Sequence, residues 1–426
     1  MGAAVDETLA ALRAGDLAGA TRLDLSGADL SQVPPEVFAL ADTLEVLDIG
    51  ATRISALPHD FSRLKRLKVL FASGAPFRAL PEALGDLPAL SQVGFRGCGI
   101  EEIPGEALSP ALRWLTLTDN RIETLPAALG ERPALQKLML AGNRLAALPE
   151  SLAGASNLEL LRVAANRLPA LPGWLADLPA LAWLAWAGNP FDTATGFAAP
   201  PVAWSTLSLG RPLGRGASGD VFETAWNGRP AALKLFRGTM TSDGLPEREM
   251  AACLAAGEHP NLTGALGRIE GHPDGAEGLL MPLLPESWRV LAGPPSAQSC
   301  SRDVYAPDLA FPLDAARRIA RDVAAGAARL HGRGLQHGDL YAHNVLWDGD
   351  TGAAVLSDFG AAAFLPAGEE GRWTPLDVRA FGLLLGELLD RVDGQAPAAL
   401  RALEAACVQP DGAARPSMAE ILAALS

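Results

Sequence analysis

The chain has 426 residues, of which 49% are hydrophobic and 20% are charged, and its formal net charge is −14. This length has room for two domains or more, and the composition supplies enough apolar residues for a sizeable core in each. The acidic balance and the absence of any run of Lys and Arg argue against nucleic acid or an anionic membrane surface as a partner.

The four cysteines lie far apart in the sequence and show no CxxC spacing. Such isolated cysteines are typical of reduced thiols in a cytoplasmic protein. No stretch reaches the ~18 consecutive apolar residues of a membrane span, and the N-terminus lacks the basic and apolar regions of a secretion signal. We therefore expect a cytoplasmic protein without a membrane span, whose oligomeric state the sequence leaves open.

Residues 5–17 have the pattern of a short amphipathic helix, which predicts an N-terminal cap over 1–19. A repeat with a period of 22 to 24 residues follows over 20–190. Its frame, LxxLxLxxNxLxxLP, fits a first copy near Ala20 and seven further copies that begin at Leu44, Leu67, Leu90, Leu112, Leu135, Leu158 and Leu181. Self-similarity at this period is the signature of leucine-rich repeats. This region resembles the leucine-rich repeat family with about eight repeats, which implies an α/β solenoid whose repeats pack only against their neighbours.

An asparagine marks the turn of the later repeats, at Asn120, Asn143, Asn166 and Asn189. We expect its side-chain amide to bond backbone groups that the short strands leave unsatisfied. Earlier repeats carry Ala28, Thr52, Ala75 and Cys98 at this position, so the first half of the array should be less tightly bonded.

The third position of the frame is predicted to point outward on the concave face of the solenoid. It includes Trp114, Lys137, Leu160 and Trp183. Exposed apolar side chains usually mark an interaction surface, so this row predicts binding of a protein ligand or substrate. The alternative is that the row covers the solenoid or docks against the other half of the chain. Residues 191–204 break the period with Pro, Ala and Gly and predict a short, packed linker.

A glycine-rich segment, LGRGASGDVF, begins the second half of the chain. It places Gly214, Gly216, Gly219 and Val221 in GxGxxGxV order, and Lys234 follows Gly214 by 20 residues in an alternating, strand-like segment. No other lysine occurs after residue 137. This arrangement resembles the protein kinase family, in which the loop covers the phosphates of ATP and the strand lysine grips them. A guanidinium would not replace that compact ammonium.

The motifs that follow occur in the order of the kinase family. A predicted helix over 246–256 carries Glu249, ten residues before the His-Pro-Asn motif at His259. The resemblance implies that Glu249 pairs with Lys234. It also implies that the strand and hinge LLMPLL meet the adenine of ATP through Met281, Pro282 and Leu284.

The segment QHGDLYAHNVLWDGDTGAAVLSDFG holds the acidic residues of the predicted site. The resemblance implies that Asp339 accepts the proton of the acceptor hydroxyl, while Asn344 and Asp358 hold Mg²⁺ on the phosphates of ATP. Asp377, in a predicted helix further along, would anchor the catalytic loop. The implied fold over 205–426 is an α+β bilobal kinase-like domain.

Three features depart from the family pattern. Gly338 replaces the arginine before the catalytic aspartate, and the 18 residues between Asp358 and Asp377 contain a single hydroxyl, Thr374. We therefore expect activity without phosphorylation of this loop, and the candidate regulatory residues are Thr374 and Tyr341. Tyr341 stands where serine/threonine kinases carry lysine, so its hydroxyl either contacts the transferred phosphate or its ring packs.

The third departure is the absence of an Ala-Pro-Glu motif, which suggests that Glu369 or Glu370 pairs with Arg415. The sequence as a whole favours an ATP-dependent protein kinase, Ser/Thr-directed with Tyr left open, whose repeats recruit a substrate or regulator. Two alternatives stay open: a pseudokinase scaffold that signals by nucleotide occupancy, and a small-molecule kinase of the aminoglycoside phosphotransferase type.

Overall fold

The computed structural model of the protein describes residues 2–192, 200–216, 218–238 and 240–426. Contacts divide the chain into two compact units, Met1–Ala180 and Leu181–Ser426. The eighth repeat, which begins at Leu181, therefore belongs by its contacts to the second unit, although its sequence continues the repeat pattern.

The first unit begins with helix α1 (Gly2–Ala14) and continues as a parallel sheet of three-residue strands. The strands are β1 (Arg22–Asp24), β2 (Val46–Asp48), β3 (Val69–Phe71), β4 (Gln92–Gly94), β5 (Trp114–Thr116), β6 (Lys137–Met139) and β7 (Leu160–Arg162). Each strand residue pairs with the residue one repeat later, as Val46 does with Val69 and Gln92 with Trp114. The predicted repeat frame is confirmed, because these partners are the same positions of consecutive copies.

The return segments of the repeats are short 3₁₀ helices, each directly preceded by a proline. They are Pro35–Leu40, His59–Arg63, Glu82–Leu84, Gly105–Ala107, Ala127–Glu131, Glu150–Gly154 and Gly173–Leu175. Proline suits this position because it has no N–H to leave unbonded at the start of a helical turn. One apolar residue of each segment, such as Leu129 or Leu152, is fully buried beneath the strands.

The turn asparagines bond the backbone as expected. Asn143 donates through Nδ2 to Leu117 O and Leu140 O, both at 2.9 Å, and its Oδ1 accepts from Ile122 N at 3.1 Å. Asn120 and Asn166 repeat this pattern with the equivalent groups one turn away. Each asparagine thus links its own repeat to the preceding one.

The second unit begins with β8 (Trp183–Ala185), the strand of the eighth repeat. A six-stranded sheet follows, formed by β9 (Pro201–Ala203), β10 (Ser208–Arg215), β11 (Gly219–Trp226), β12 (Arg229–Phe236), β13 (Gly267–Glu270) and β14 (Gly278–Pro282). The order of the strands in the sheet is β10-β11-β12-β14-β13-β9. Helix α2 (Pro246–Ala256) lies at the predicted position between β12 and β13.

The end of the predicted linker is part of this sheet. Strand β9 pairs in parallel with β13, and Val202 is buried in a cluster with Leu233 and Leu280. Residues 193–199, also within the predicted linker, lie outside the described residues. The ordered sheet therefore starts before residue 205, where the sequence predicted the second domain to begin.

The remainder of the second unit is mainly helical. Its elements are β15 (Trp288–Val290), α3 (Leu313–His331), β16 (Leu335–Gln336), β17 (Val345–Asp348), β18 (Ala354–Leu356), β19 (Ala363–Phe364), α4 (Glu370–Leu389), α5 (Ala398–Cys407) and α6 (Met418–Leu425). Ser417 and Glu420 form a capping box at the start of α6. The predicted fold class, an α/β leucine-rich repeat solenoid followed by an α+β kinase-like domain, is confirmed. Across the described ranges, no helix is long and apolar enough to cross a membrane.

Candidate active site

A cavity of about 880 Å³ lies beneath the strands of the six-stranded sheet. It brings together most of the residues that the sequence assigned to nucleotide binding. Its lining includes Val221, Lys234, Glu249, Met281, Pro282, Leu284 and Asp358. The cavity has apolar side chains and backbone on one side and charged groups on the other. This lining suits a ligand with a flat ring and an anionic tail.

The three predicted glycines lie where β10 turns into β11. Gly214 is near the end of β10 and Gly219 begins β11, with Gly216 in the turn, where its N–H donates to Gly219 O at 2.9 Å. A Cβ added to Gly219 would stand 2.3 Å from the carbonyl oxygen of Leu235. Glycine is therefore required at residue 219 for the two strands to approach.

Lys234 and Glu249 form an ion pair in this cavity. Lys234 projects from β12 and Glu249 from α2, and their side chains are 14% and 4% exposed. Burial acts to lower the pKa of Lys234, but the carboxylates of Glu249 and Asp358 raise it above its ordinary value. Burial raises the pKa of Glu249, and Lys234 opposes that rise. The lysine therefore keeps its positive charge among acidic groups.

The side chain of Ser218 also acts on Glu249 and lowers the pKa of its carboxyl. Ser218 is a buried residue of the glycine-rich turn. Sequence analysis did not single it out, because a serine between glycines is common in turns of every kind.

Asp339 and Asn344 lie together in the loop between β16 and β17. The Asn344 Nδ2 atom donates to Asp339 O and to Asp339 Oδ2, both at 2.8 Å. The ring of His337 is buried, and its Nδ1 accepts from Asp339 N at 3.3 Å. Asn344 thus bonds the Asp339 carboxylate, His337 bonds the Asp339 backbone, and the residue stays partly accessible, as a proton acceptor must be.

Asp377 anchors this loop from helix α4. It is fully buried and accepts hydrogen bonds from His337 N at 2.8 Å, Gly338 N at 3.0 Å and His331 Nε2 at 3.0 Å. Burial would raise the pKa of Asp377, but these partners hold it below its ordinary value. The carboxylate therefore stays ionised and fixes the backbone just before Asp339.

Asp358 has a backbone conformation that is rare for a residue with a side chain. Its φ is 61°, and its Oδ1 accepts from Gly360 N at 3.0 Å. Such left-handed residues cluster at functional sites. Because the amide nitrogen of Asn344 is bonded to Asp339, the amide oxygen is the atom that remains to coordinate a cation. An amide oxygen and a carboxylate are hard donors of the kind Mg²⁺ prefers, so these two residues fit the predicted metal.

The expectation that Trp183 is exposed on the concave face is wrong. This side chain is 2% exposed, and its ring stacks on Tyr341 with centroids 4.1 Å apart and planes 7° apart. Tyr341 is itself 4% exposed. Of the two readings of Tyr341, the contacts favour the packed ring.

Two further members of the predicted row are also less exposed than expected. Lys137 and Leu160 are buried, whereas Trp114 is half-buried. The ammonium of Lys137 lies 4.1 Å from the ring centroid of Trp114, which accounts for part of its burial through a cation–π contact. The outward-facing prediction therefore holds in part for Trp114 alone.

Two other predictions concern the segment after Asp358. Thr374 lies in helix α4, and its hydroxyl donates to Glu370 O at 2.9 Å. The expected pairing of Arg415 with Glu369 or Glu370 is wrong. Arg415 donates instead to backbone carbonyls, at 2.8 Å to Pro375 O and 2.7 Å to Gln409 O, while Glu369 accepts from Trp373 Nε1.

A buried pair between Asp303 and His343 was missed by the sequence analysis. His343 N donates to Asp303 Oδ2 at 2.9 Å, and the ring Nδ1 lies 2.7 Å from Asp303 Oδ1. Burial would lower the pKa of His343, but Asp303 and the charge of Asp339 raise it. The two residues are 40 positions apart with no motif around Asp303, so no sequence signal pointed to the pair.

Three comparisons with known proteins show what the chain is similar to. The family model described as protein kinase domain matches residues 207–379. An alignment 228 positions long covers 47% of this chain and is 25% identical to a curated "putative serine/threonine-protein kinase/receptor" of Acanthamoeba polyphaga mimivirus. The match spans 13% of the length of that protein. Among solved structures, a leucine-rich repeat protein of Leptospira interrogans aligns with 23% identity and a TM-score of 0.37, over 42% of this chain and 52% of that one.

Proposed function

We propose, from the premise that the C-terminal half of this chain carries a protein kinase domain, that the protein transfers the γ-phosphoryl group of ATP to a protein hydroxyl. The observation that carries the proposal is the Lys234–Glu249 ion pair in the cavity that Asp358 also lines. A pseudokinase scaffold would have no need for this complete set of charged groups together with a held Asp339.

The proposed roles follow from the position of each group. Lys234 is charged and reaches into the cavity from β12, so it would bind the phosphates of ATP while Glu249 holds its ammonium in place. Met281 and the backbone of Pro282 and Leu284 would contact the adenine, because they form the apolar wall of the cavity.

Asp339 would accept the proton of the acceptor hydroxyl. The hydroxyl oxygen forms a bond to the γ-phosphorus as the bond from that phosphorus to the bridging oxygen of ADP breaks, and ADP leaves. Asn344 orients the Asp339 carboxylate through the hydrogen bond to Oδ2. Bound through Asn344 and Asp358, Mg²⁺ would supply positive charge against the phosphate oxygens.

Serine or threonine is the proposed acceptor, and the cytoplasm is the proposed location. The acceptor choice is supported by the description of the mimivirus relative, which applies to a small part of that protein. The location is supported by the four cysteines, all of which are buried thiols.

The test is an assay of phosphate transfer from radiolabelled ATP with Mg²⁺, to the protein itself and to a mixed protein acceptor. The wild type should transfer phosphate, and Asp339→Asn should reduce turnover by ~10²-fold or more while it retains ATP binding. Lys234→Ala should weaken ATP binding as well. Phospho-amino-acid analysis then identifies which type of residue accepts the phosphate. ATP binding by the wild type without transfer to either protein acceptor would overturn the protein kinase assignment and favour the scaffold.

We also propose that the repeats of the first unit recruit the protein substrate or a regulator. Half-buried side chains at the outward strand positions, including Phe71, Trp114 and Met139, offer apolar contact area to a partner. Trp114→Ala should raise KM for a protein substrate several-fold and leave KM for a short peptide unchanged. Equal effects on both substrates would contradict recruitment.

A further inference from the structure

The eighth repeat contacts two parts of the proposed catalytic site. Strand β8 carries Trp183 and Leu184 against the loop that precedes and follows Asp339, and Asp192 follows it at the end of the repeat. All of these contacts lie within the second compact unit.

The first contact is made by Trp183. Its Nε1 donates to Leu340 O at 3.0 Å, and its ring stacks on Tyr341. Leu340 and Tyr341 directly follow Asp339. A nearly parallel stack of two buried rings restricts both neighbours, so the segment after the proposed base is held by the repeat strand.

The second contact explains the glycine that precedes Asp339. The carbonyl of Leu184 accepts from Gln336 Nε2 at 3.3 Å, and a Cβ added to Gly338 would stand 2.7 Å from the same oxygen. Gly338 also has a φ of 71°, where side chains are disfavoured. The backbone of β8 therefore occupies the place in which a larger residue 338 would begin.

The third contact reaches helix α2. Arg248 Nη1 lies 3.4 Å from Asp192 Oδ2, in a pair in which the Asp192 side chain is 1% exposed. Asp192 is oriented by Gly188 N, which donates to Oδ2 at 2.8 Å. Because Arg248 precedes Glu249, this pair fixes α2 next to the residue that holds Lys234.

We propose that the eighth repeat is a built-in positioning element of the phosphotransfer site. It sets the catalytic loop through Trp183 and Leu184, and sets α2 through Asp192, without a phosphorylated loop. The inference rests on the proposed function and specifies which contacts hold that site in position. Trp183 and Asp192 act through other residues and touch no reacting atom, so they are positioning residues.

The experiment uses the full chain with four single substitutions. Trp183→Leu removes the ring, Trp183→Phe keeps a ring without the donor, and Asp192→Asn removes the charge at constant size. The control is Trp174→Leu, in the return segment Gly173–Leu175 of the seventh repeat. Each variant is measured for kcat, for ATP affinity with Mg²⁺, and for amide hydrogen exchange in peptides covering 335–345 and 246–256.

Trp183→Leu should lower kcat by 10-fold or more with ATP affinity changed less than 3-fold, and should speed exchange over 335–345 at least 10-fold. Asp192→Asn should speed exchange over 246–256 and lower kcat by a smaller factor. Trp183→Phe should recover most of the turnover, and Trp174→Leu should match the wild type in all measurements.

Unchanged exchange or unchanged kcat in Trp183→Leu would overturn the proposal. An equal loss of kcat and ATP affinity would also overturn it, because Trp183 would then support the fold in general. If Trp183→Leu does not fold, Trp183→Phe is the test of the proposal. Because this variant lacks the hydrogen bond to Leu340 O, amide exchange over 335–345 must be faster than in the wild type, and unchanged exchange would overturn the proposal. If the wild type transfers no phosphate, the proposed function fails, and the exchange measurements still decide whether the repeat holds the loop.

Discussion

The two compact units use buried polar side chains in different ways. In the first unit, Asn143 bonds backbone groups that lie 3, 21 and 26 residues away, so every bond stays within neighbouring repeats. In the second unit, Asp377 collects groups 39 to 46 residues away, and Trp183 bonds a carbonyl 157 residues away. The repeats can therefore lose one link with local effects, whereas one lost anchor in the second unit disturbs the whole catalytic loop.

The largest effect is expected from Asp377→Ala. The change leaves two buried backbone N–H groups and His331 without their acceptor, which should cost about 3–5 kcal/mol of unfolding free energy and more than ~10²-fold in turnover. Urea denaturation and the phosphate-transfer assay measure the two effects. Asp274→Ala, at an exposed position of the same unit, is the control, and a comparable loss there would remove the contrast between anchor and surface.

A smaller, purely structural effect is expected from Asn143→Ala in the first unit. Three buried backbone groups lose a partner, so we expect a loss of about 2–3 kcal/mol with turnover unchanged within 2-fold. Cys98→Ala, at the same frame position, should cost less, because the Cys98 thiol donates only weakly, from Sγ to Ala72 O at 3.2 Å and to Arg96 O at 3.6 Å. A larger loss at Cys98 than at Asn143 would contradict the role assigned to the asparagines.

Glu387 in helix α4 should make the second unit sensitive to pH. Burial, followed by the charge of Asp303, raises the pKa of Glu387 from 4.5 to about 7. The folded state binds this proton more tightly than the unfolded state does, so the protonated carboxyl adds to the free energy of unfolding. This contribution is complete below pH 4.5 and is lost as the pH rises to about 7. Tyr305, whose hydroxyl donates to Glu387 Oε2 at 3.0 Å, and Arg391 also face the carboxylate.

Between pH 4.5 and 7, the free energy of unfolding of Glu387→Gln should therefore exceed that of the wild type by about 1–2 kcal/mol. Urea denaturation at several pH values measures the difference between the two proteins. The same pH dependence in both would show that Glu387 does not titrate in this range. Glu150→Gln, at an exposed position of the return segment Glu150–Gly154, is the control substitution.

The smallest effect is expected from Thr374→Ala. Thr374 lies near the start of helix α4, and its hydroxyl donates to Glu370 O of the same helix. Turnover should change less than 2-fold, as the phosphate-transfer assay measures. A complete loss of activity would show that the site depends on loop phosphorylation and not on the contacts of the eighth repeat.

Much of the architecture follows from local patterns in the chain. The repeat frame predicts the register of the strands, because each copy places the same residue opposite its equivalent. The helix carrying Glu249 was also predicted, since helical patterns act within a few residues. The order of the motifs predicted one shared site for Lys234, Glu249 and Asp358, and all three line one cavity.

The sequence by itself thus determined the repeats, the elements and the set of charged groups, all of which depend on short spacings. Only the tertiary structure decided what covers Trp183, why residue 338 is glycine, and which group pairs with His343. The physical reason is that the type of a residue indicates whether its side chain needs an apolar neighbour or a hydrogen-bond partner. It does not indicate which residue of the chain takes that place. That choice is made by packing between segments 40 to 157 residues apart, which no local pattern encodes.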